Sequence, residues 1–475
     1  MLGLFGTLNL ATRSLSTQRL GTEVAGHNLA NVNNPAYARQ RLSIATSNPI
    51  PSGLGPQGTG AEGTAIVQLR NGLLDRQILT ESGVQGSLAS QQRALQYAQA
   101  NLGQFLDRHT SGAEGAAAAG GVGGQHGLAE EFSAFFNAFH SLSTNPTSTA
   151  ERQVLLLKAQ NVATQFNQVS TRLDGVNSLL NDAVRSDVST ANTLLGDVAK
   201  LNDQIIRIEV GGGLANDLRD IRQQRLEELG RLVDFTTTEL PSGSIEVSIG
   251  GVAMTSGASV LDRLEAFDPG DGQLLVRAQG SSTPLSLGSG ALHGTLEARD
   301  GAIATLRGDI QRLASEMISQ VNGIHAGGYG LAGTTGEAFF TGTDAASIRV
   351  NAVLLDDPAR IQASGEDGAA GDNQVALALA RLGDQPIAAL GNQTFLQHYG
   401  QSVARLGQSL SSVNTQLSNQ DVVQSMLLRQ RDSVSGVSLD EEMTDLIRFQ
   451  KAFEASARLV SLVDQMLDTV LNMKR

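Results

Sequence analysis

"ANVNNPAYARQ", residues 30–40, follows about thirty residues of helical spacing and ends that helix abruptly. Pro35 carries no amide hydrogen and forces Asn34 into extended geometry, so the helix has to stop near Asn31 to Asn33, where asparagine tolerates turn conformations. The chain then leaves the turn at Tyr37 through "ARQRLSI", whose alternation suits an extended arm. An ordinary helix stop accounts for Pro35 but not for the polar and aromatic set Tyr37, Arg39 and Gln40 placed directly after it.

Upstream of the break, Leu4, Leu8, Ala11, Leu15, Gln18, Thr22, Ala25, Leu29 and Val32 recur in alternating steps of four and three, a heptad seam with two polar interruptions. The far end of the chain repeats the pattern at Leu439, Met443, Leu446, Phe453, Val460, Val463, Leu467 and Val470. Ser438 and Glu441 have the spacing of a capping box, the acids Asp440 to Glu442 load the positive end of the helix dipole, and Lys474 and Arg475 close the negative end. A narrow apolar seam cannot satisfy itself in water, so each terminal helix needs a partner, and the economical one is the other terminus. The second helix carries further apolar residues off its seam, at Ile447, Phe449, Leu459, Leu462, Met466 and Leu471. One partner helix does not cover so much surface, which predicts contact with other chains.

The 475-residue chain has room for several cores, yet only 4% of it is aromatic and it lacks tryptophan. Packing must come mainly from aliphatic helix faces. There is no cysteine, which excludes disulfides, thiolate metal sites and a cysteine nucleophile. The formal charge is -13 with scattered basic residues, so no footprint for a phosphate backbone is visible and nucleic acid is excluded as a partner. No apolar run reaches the 18 residues of a membrane span, and "MLGLFGTLNLATRSL" lacks the cationic start and cleavage pattern of a secretory signal.

With these residues in view, the phrase resembles the N-terminal signature of bacterial flagellar axial proteins (rod, hook and hook-associated), carried here by Ala30, Asn31, Pro35, Tyr37, Arg39 and Gln40. Asn34 stands where that signature has Thr, and Ala36 where it has Gly; Ala36 disfavours a positive-φ turn. "NDLRDIRQQRLEELGRLVDF" (216–235), "GTLEARD" (294–300), "VNGIHAGGYGLAGTTGEAFF" (321–340) and "SGVSLDEEMTDLIRFQKAFEASARLV" (435–460) are similar to segments of the hook-associated proteins of the hook-filament junction, the FlgK family. The similarity covers most of the chain in family order.

Between the ends, helical spacing runs from Gly83 to Asp107 and from Phe132 to Arg207, with Phe132, Phe135, Phe136 and Phe139 on one face. The two stretches are joined by the glycine-rich Ser111 to Gly127, which has neither phosphate-binding fingerprint and reads as a flexible loop. After Asp234 the pattern alternates β-branched and polar residues to about Ser289; helix returns at Leu296 to Ile324 and again at Phe395 to Arg431. The expected fold is mainly α with a β-rich insertion, in nested order. Residues 1–60 and 432–475 form a terminal coiled-coil domain, 61–235 and 290–431 a long-helix domain, and 236–289 a β-rich outer insertion.

Chemistry finds little support. The seven histidines are scattered without H-E-x-x-H or a pair at ligand spacing, and G-x-S-x-G is absent. Glu441 and Glu442 read as caps rather than acid-base groups, and His325 and Tyr329 as packing residues. No catalytic, cofactor-binding or metal residue is assigned.

The resemblance implies a non-catalytic structural subunit whose terminal helices line the inner wall of a tubular polymer. Its subunit interface would be the seam positions, chiefly Leu4, Leu8, Leu15, Leu29, Val32, Leu439, Met443, Leu446, Phe453, Val460, Val463, Leu467 and Val470. The resemblance also implies its partners: further copies of itself, the hook protein, a second junction protein on the filament side, an export chaperone at the C-terminal helix and the flagellar type III export apparatus. The protein would be secreted to the extracellular flagellum without a cleaved signal peptide. A rod or hook component is the alternative within the family; an enzyme carried on the axial structure is the alternative outside it.

Overall fold

The structure, a computed structural model, describes residues 3–52, 55–103 and 127–473. The glycine-rich loop read from Ser111 to Gly127 lies outside the described residues apart from Gly127, as do Lys474 and Arg475. Two compact units divide the chain: Met1–Ser87, Asp187–Leu292 and Ser418–Arg475 form the first, Leu88–Ser186 and His293–Leu417 the second. Three long helices, α2 (Gly72–Gly103), α4 (Thr149–Val210) and α10 (Phe395–Ser435), contribute residues to both.

In the first unit, α1 (Leu4–Ala30) lies along α11 (Leu439–Asn472). Ser14 bonds Ser456, a Cβ on Gly21 would meet the Phe449 ring, and Asn28 bonds Glu442, so steps of seven up one helix match steps of seven down the other. The pair is an antiparallel coiled coil, as the two terminal seams predict. Its register is rotated from the sequence reading on α1: Ala11 and Ala25 of the expected stripe are buried, but the other buried residues, Thr17, Gly21, Val24 and Asn28, each lie one position earlier than a stripe residue. Small side chains decide this, because Gly21 admits the Phe449 ring where a leucine would hold the helices apart.

After the break the chain forms β1 (Gln40–Thr46), β2 (Ile50–Ser52), β3 (Gly55–Gln57) and β4 (Ala61–Gln68). β1 pairs antiparallel with β4, and β2 with β3, giving an arm that packs on α1. Only the first of these strands is legible as an extended segment in the sequence. α5 (Asn216–Leu232) leads into the sheet β5 (Thr236–Glu239), β6 (Ile245–Ile249), β7 (Val252–Ser256), β8 (Ser259–Val260), and then the ribbon β9 (Leu264–Phe267), β10 (Leu275–Ala278). Side-chain amides of α4 hold these strands: Asn202 exchanges two bonds with the backbone of Ile245, and Asn192 two with Leu264. Gly86 of α2 is fixed by contact, since a Cβ there would sit 2.1 Å from the Arg231 carbonyl oxygen of α5.

The second unit gathers the scarce aromatics. α3 (Leu128–Thr144) turns Phe132, Phe135, Phe136 and Phe139 toward Phe166, Phe339, Phe340 and Phe395, ring to ring at 5.0–6.1 Å. The helix read from Leu296 starts earlier, as α6 (Gly290–Ala298), and a π turn at Arg299–Ile303 joins it to α7 (Ala304–His325). The π turn aims the buried Arg299 guanidinium at Asn181 and Asp300. The strands β11 (Phe340–Thr341) and β12 (Arg349–Val350), α8 (Ala352–Asp356) and α9 (Gln374–Leu382) complete the unit. His325 bonds at both ring nitrogens, to the Glu337 carbonyl and the Gln362 amide, and burial pushes its pKa down to about 4. It is a hydrogen-bonded pin as well as a packing residue.

Candidate functional site at the junction of the two chain ends

The break in residues 30–40 builds a buried polar junction. Ala30 is the last residue of α1 and Asn31 its C-cap. Pro35 is exposed, and its carbonyl accepts a bond from Arg431 of α10. Asn392 is the one non-glycine residue at positive φ among the described residues, so the turn at Ala36 does not call on the conformation that alanine disfavours. Tyr37 folds back over α1: its hydroxyl donates to Asn28 Oδ1 at 2.7 Å, and its ring meets His27 edge-on at 5.4 Å. Burial, with Asp217, Asp220 and Glu442 nearby, raises the Tyr37 pKa and keeps the phenol protonated as a donor.

Asn28 is the centre of the site. It donates to the Gln40 carbonyl and to Glu442, and accepts from the Gln40 amide and Tyr37, at 2.7–2.9 Å. Its side chain thereby acts as a missing strand neighbour for the start of β1. Arg39 spans to α11, with Nε on Glu442, another nitrogen on Glu441 and a third 3.8 Å from Asp445; its backbone amide donates to the Ser435 carbonyl. Glu442 is only 2% exposed, and a carboxylate that buried needs both Arg39 and Asn28 to offset its lost hydration. The capping box read at the start of α11 does not form: Ser438 makes no side-chain cap, and the Glu441 carboxylate pairs with Arg39.

The N-terminus of α5 closes the other side. Gln40 donates to Asp217, Asn216 donates to the Ile66 carbonyl, and Asp220 accepts from the Ala38 amide while paired with Arg70. Burial pushes the Asp220 carboxyl up to about 6, against the downward pull of Arg70 and the Ala38 amide. Asn216, Asp217 and Asp220 open the segment 216–235 singled out in the sequence, but neither their spacing, that of an ordinary amphipathic helix start, nor Arg70 just before α2 linked them to the junction. The asparagine at position 28, inside a helix it does not favour, was the available signal. The network contains no nucleophile held against a base, and no group of three or more potential metal-ligating side chains occurs among the described residues.

The seam residues divide into two sets. Leu4, Leu8, Leu15, Leu29 and Val32 of the α1 side, and Leu446, Val460 and Leu467 of α11, are half-buried along the coil, and Val463 is buried. Leu439, Met443, Phe453 and Val470 are exposed, as are Ile447, Leu462, Met466 and Leu471 from off the seam. α11 therefore keeps several apolar side chains uncovered within this chain, spread around its sides rather than gathered on one face. Burying each such side chain is worth about 1.5–3 kcal/mol, ample to hold a partner helix.

Residues 121–340 match the family described as the flagellar hook-associated protein FlgK helical domain, and residues 429–473 that of the flagellar basal body rod FlgEFG protein C-terminal region. Over nearly its whole length the chain is similar to flagellar hook-associated protein 1 of Bacillus subtilis, at 29% identity over 99% of both chains. Hook-associated protein 1 of Escherichia coli is 22% identical over 98% of this chain and 99% of its own. In fold it is similar to the flagellar hook junction protein FlgK from Burkholderia pseudomallei, with a TM-score of 0.61 at 16% identity, covering 76% of this chain and all of that one. With its helical domain and its full length matched in the same order, the chain is similar throughout to the FlgK family of flagellar hook-associated proteins.

Proposed function

We infer that this protein is a structural subunit of the bacterial flagellum that assembles with copies of itself at the hook tip and joins hook to filament. The observation that carries the reading is the coiled coil of the two chain ends, welded at Asn28, Arg39 and Glu442, with apolar side chains of α11 left uncovered. A coil that leaves apolar side chains uncovered is a packing element for further helices. The subunit is non-catalytic and carries no cofactor. In this reading residues 1–60 and 432–475 form the polymer core, 61–235 and 290–431 the long-helix domain, and 236–289 the outward β-rich insertion.

Its neighbours are the hook protein on one side and a second junction protein on the filament side. Before assembly an export chaperone holds the C-terminal helix, the type III export apparatus passes the chain outward without a cleaved signal peptide, and the absence of cysteine leaves no disulfide to obstruct unfolding. The match of residues 429–473 to rod proteins favours a second reading, a rod or hook component. Deleting the gene separates them: electron microscopy should find hooks without filaments, with flagellin lost to the medium. Cells lacking hooks would support the rod or hook reading, and intact filaments would overturn both.

A further inference from the structure

We propose that Met443 and Met466 of α11 and Met473 at its C-cap are oxidation sites, whose conversion to the sulfoxide by a hydroperoxide closes the helix to other chains. The proposal rests on the reading of the chain as a self-assembling subunit and adds a chemical control over it.

The chain has no cysteine, so its seven methionines are its only sulfur. Met254 and Met317 are fully buried, whereas Met443, Met466 and Met473 are 47%, 45% and 82% exposed, and Met426 of α10 is exposed as well. The three at α11 do not stand alone. Leu439, Met443 and Ile447, at steps of four, share one side of its first turns. Leu462, Met466, Val470 and Met473, at steps of four, four and three, share one side of its last turns. Every residue of both stripes is exposed. Methionine thus stands within each of two short apolar stripes, which lie on different sides of the helix.

Leucine forms helix and packs as well as methionine does, but only the thioether takes up oxygen. Its sulfur lone pair attacks one peroxide oxygen: the S–O bond forms and the O–O bond breaks. The proton of the transferred oxygen passes to the leaving one, which departs as water or an alcohol. Sulfur loses two electrons and the peroxide gains them. The product is a polar, chiral sulfoxide, and such an oxygen opposes burial in a helix contact that offers it no hydrogen-bond donor. Oxidation acts on the free chain, where these sulfurs meet solvent, and a partner seated on either stripe shields them.

Hydrogen peroxide is the probe. Mass spectrometry of the treated full-length chain should find one added oxygen on each of Met443, Met466 and Met473 and none on Met254 or Met317. The treated chain should then sediment as polymer about tenfold less than the untreated chain, because polar groups oppose contact at both stripes. The two methionine sulfoxide reductases, one for each epimer, should restore assembly. A chain carrying Met443→Leu, Met466→Leu and Met473→Leu, which keeps Met1 and Met426, should assemble equally before and after peroxide. Equal assembly of the parent chain with and without the three sulfoxides would overturn the proposal, and so would a triple variant that peroxide still disables. The reductase step needs no substitution, so it decides the case even where the triple variant fails to fold: assembly that stays lost once the oxygen is removed counts against the proposal. An untreated parent chain that never sediments would overturn the self-assembly reading, and the proposal with it.

Discussion

Replacing Asn28 with Asp changes one NH2 into one oxygen and keeps the shape of the side chain. The acceptor bonds from Tyr37 and the Gln40 amide survive, but the two donor bonds, to the Gln40 carbonyl and to Glu442 Oε2 at 2.9 Å, become oxygen against oxygen. Two carboxylates at that separation repel by about 6 kcal/mol at an effective dielectric of 20, and a buried charge pair broken by loss of one partner costs about 3–5 kcal/mol. The smaller figure is the better expectation, since the pair takes up a proton rather than bear the full repulsion. At pH 7 the coil should then lose about 3–5 kcal/mol, so amides of α1 and α11 near the junction exchange with solvent at least about 100-fold faster. The pH dependence has a definite sign. In the variant the folded state holds a proton that the unfolded state releases near pH 4, so the defect grows as pH rises above 4 and shrinks again in acid. Asn28→Ala, which loses four bonds but adds no charge, should show a defect without this pH dependence. Hydrogen exchange with protection within threefold of the parent chain at pH 7, or an Asn28→Asp defect as large at pH 4 as at pH 7, would refute the assignment of Asn28 as the donor that holds Glu442.

The antiparallel register is open to a cross-link: Ser14→Cys with Ser456→Cys, whose hydroxyls lie 2.8 Å apart, should oxidise to an intramolecular disulfide visible by gel mobility, whereas Ser14→Cys with Ser461→Cys should not. Gly21→Ala gains about 1 kcal/mol of helix propensity but loses about 1–3 kcal/mol to overpacking, because its Cβ would fall 2.5 Å from the Phe449 ring. Net destabilisation in urea melts, relieved by Phe449→Leu, is the expected result, and a stabilised Gly21→Ala chain would sink the close-approach argument. His325 is neutral in the fold with its pKa near 4, so the unfolded state binds more protons between pH 6.5 and 4 and the second unit loses up to about 3 kcal/mol as pH falls through that window. His325→Gln should flatten that portion of the stability profile measured by calorimetry, and an unchanged slope would show that other groups set it.

The two chain ends were legible because periodicity and Pro35 are local signals: the helices, the stop at Asn31 and the pairing of the ends follow from spacing alone. The register of α1 was not, because counting apolar residues weights leucines, while the close approach is set by Gly21 and the Ser14 hydroxyl. Glu441 and Glu442 read as caps from a window of four residues; the partner that claims them, Arg39, stands four hundred positions away. The strands β2 to β4 hid for a different reason. "PSGLGPQGTG" is rich in turn formers, and the short hairpin it makes is recognisable only once β1 has found β4.

Asparagines carried the signal that a propensity reading discards. Asn28, Asn192, Asn202 and Asn322 all sit on helices, where the residue is a poor former, and each exchanges two bonds with the backbone of one residue at a strand: Gln40, Leu264, Ile245 and Phe340. An amide presents a donor and an acceptor side by side, the same pair a neighbouring strand would offer, so a helix bearing asparagine can end a sheet edge that would otherwise stay unpaired. Asn322 adds the Phe339 amide, and Asn202 adds the Gly257 carbonyl and Arg222. Asn28 differs, because its amide nitrogen is shared with Glu442 from the opposite end of the sequence. Without α11, that nitrogen keeps only the Gln40 carbonyl and the Arg39 guanidinium loses its buried acceptor, so the start of the arm loses one of its anchors. The polar clamp thus makes ordering of the arm conditional on the two chain ends having met, a dependence that apolar packing of α1 against α11 would not impose by itself.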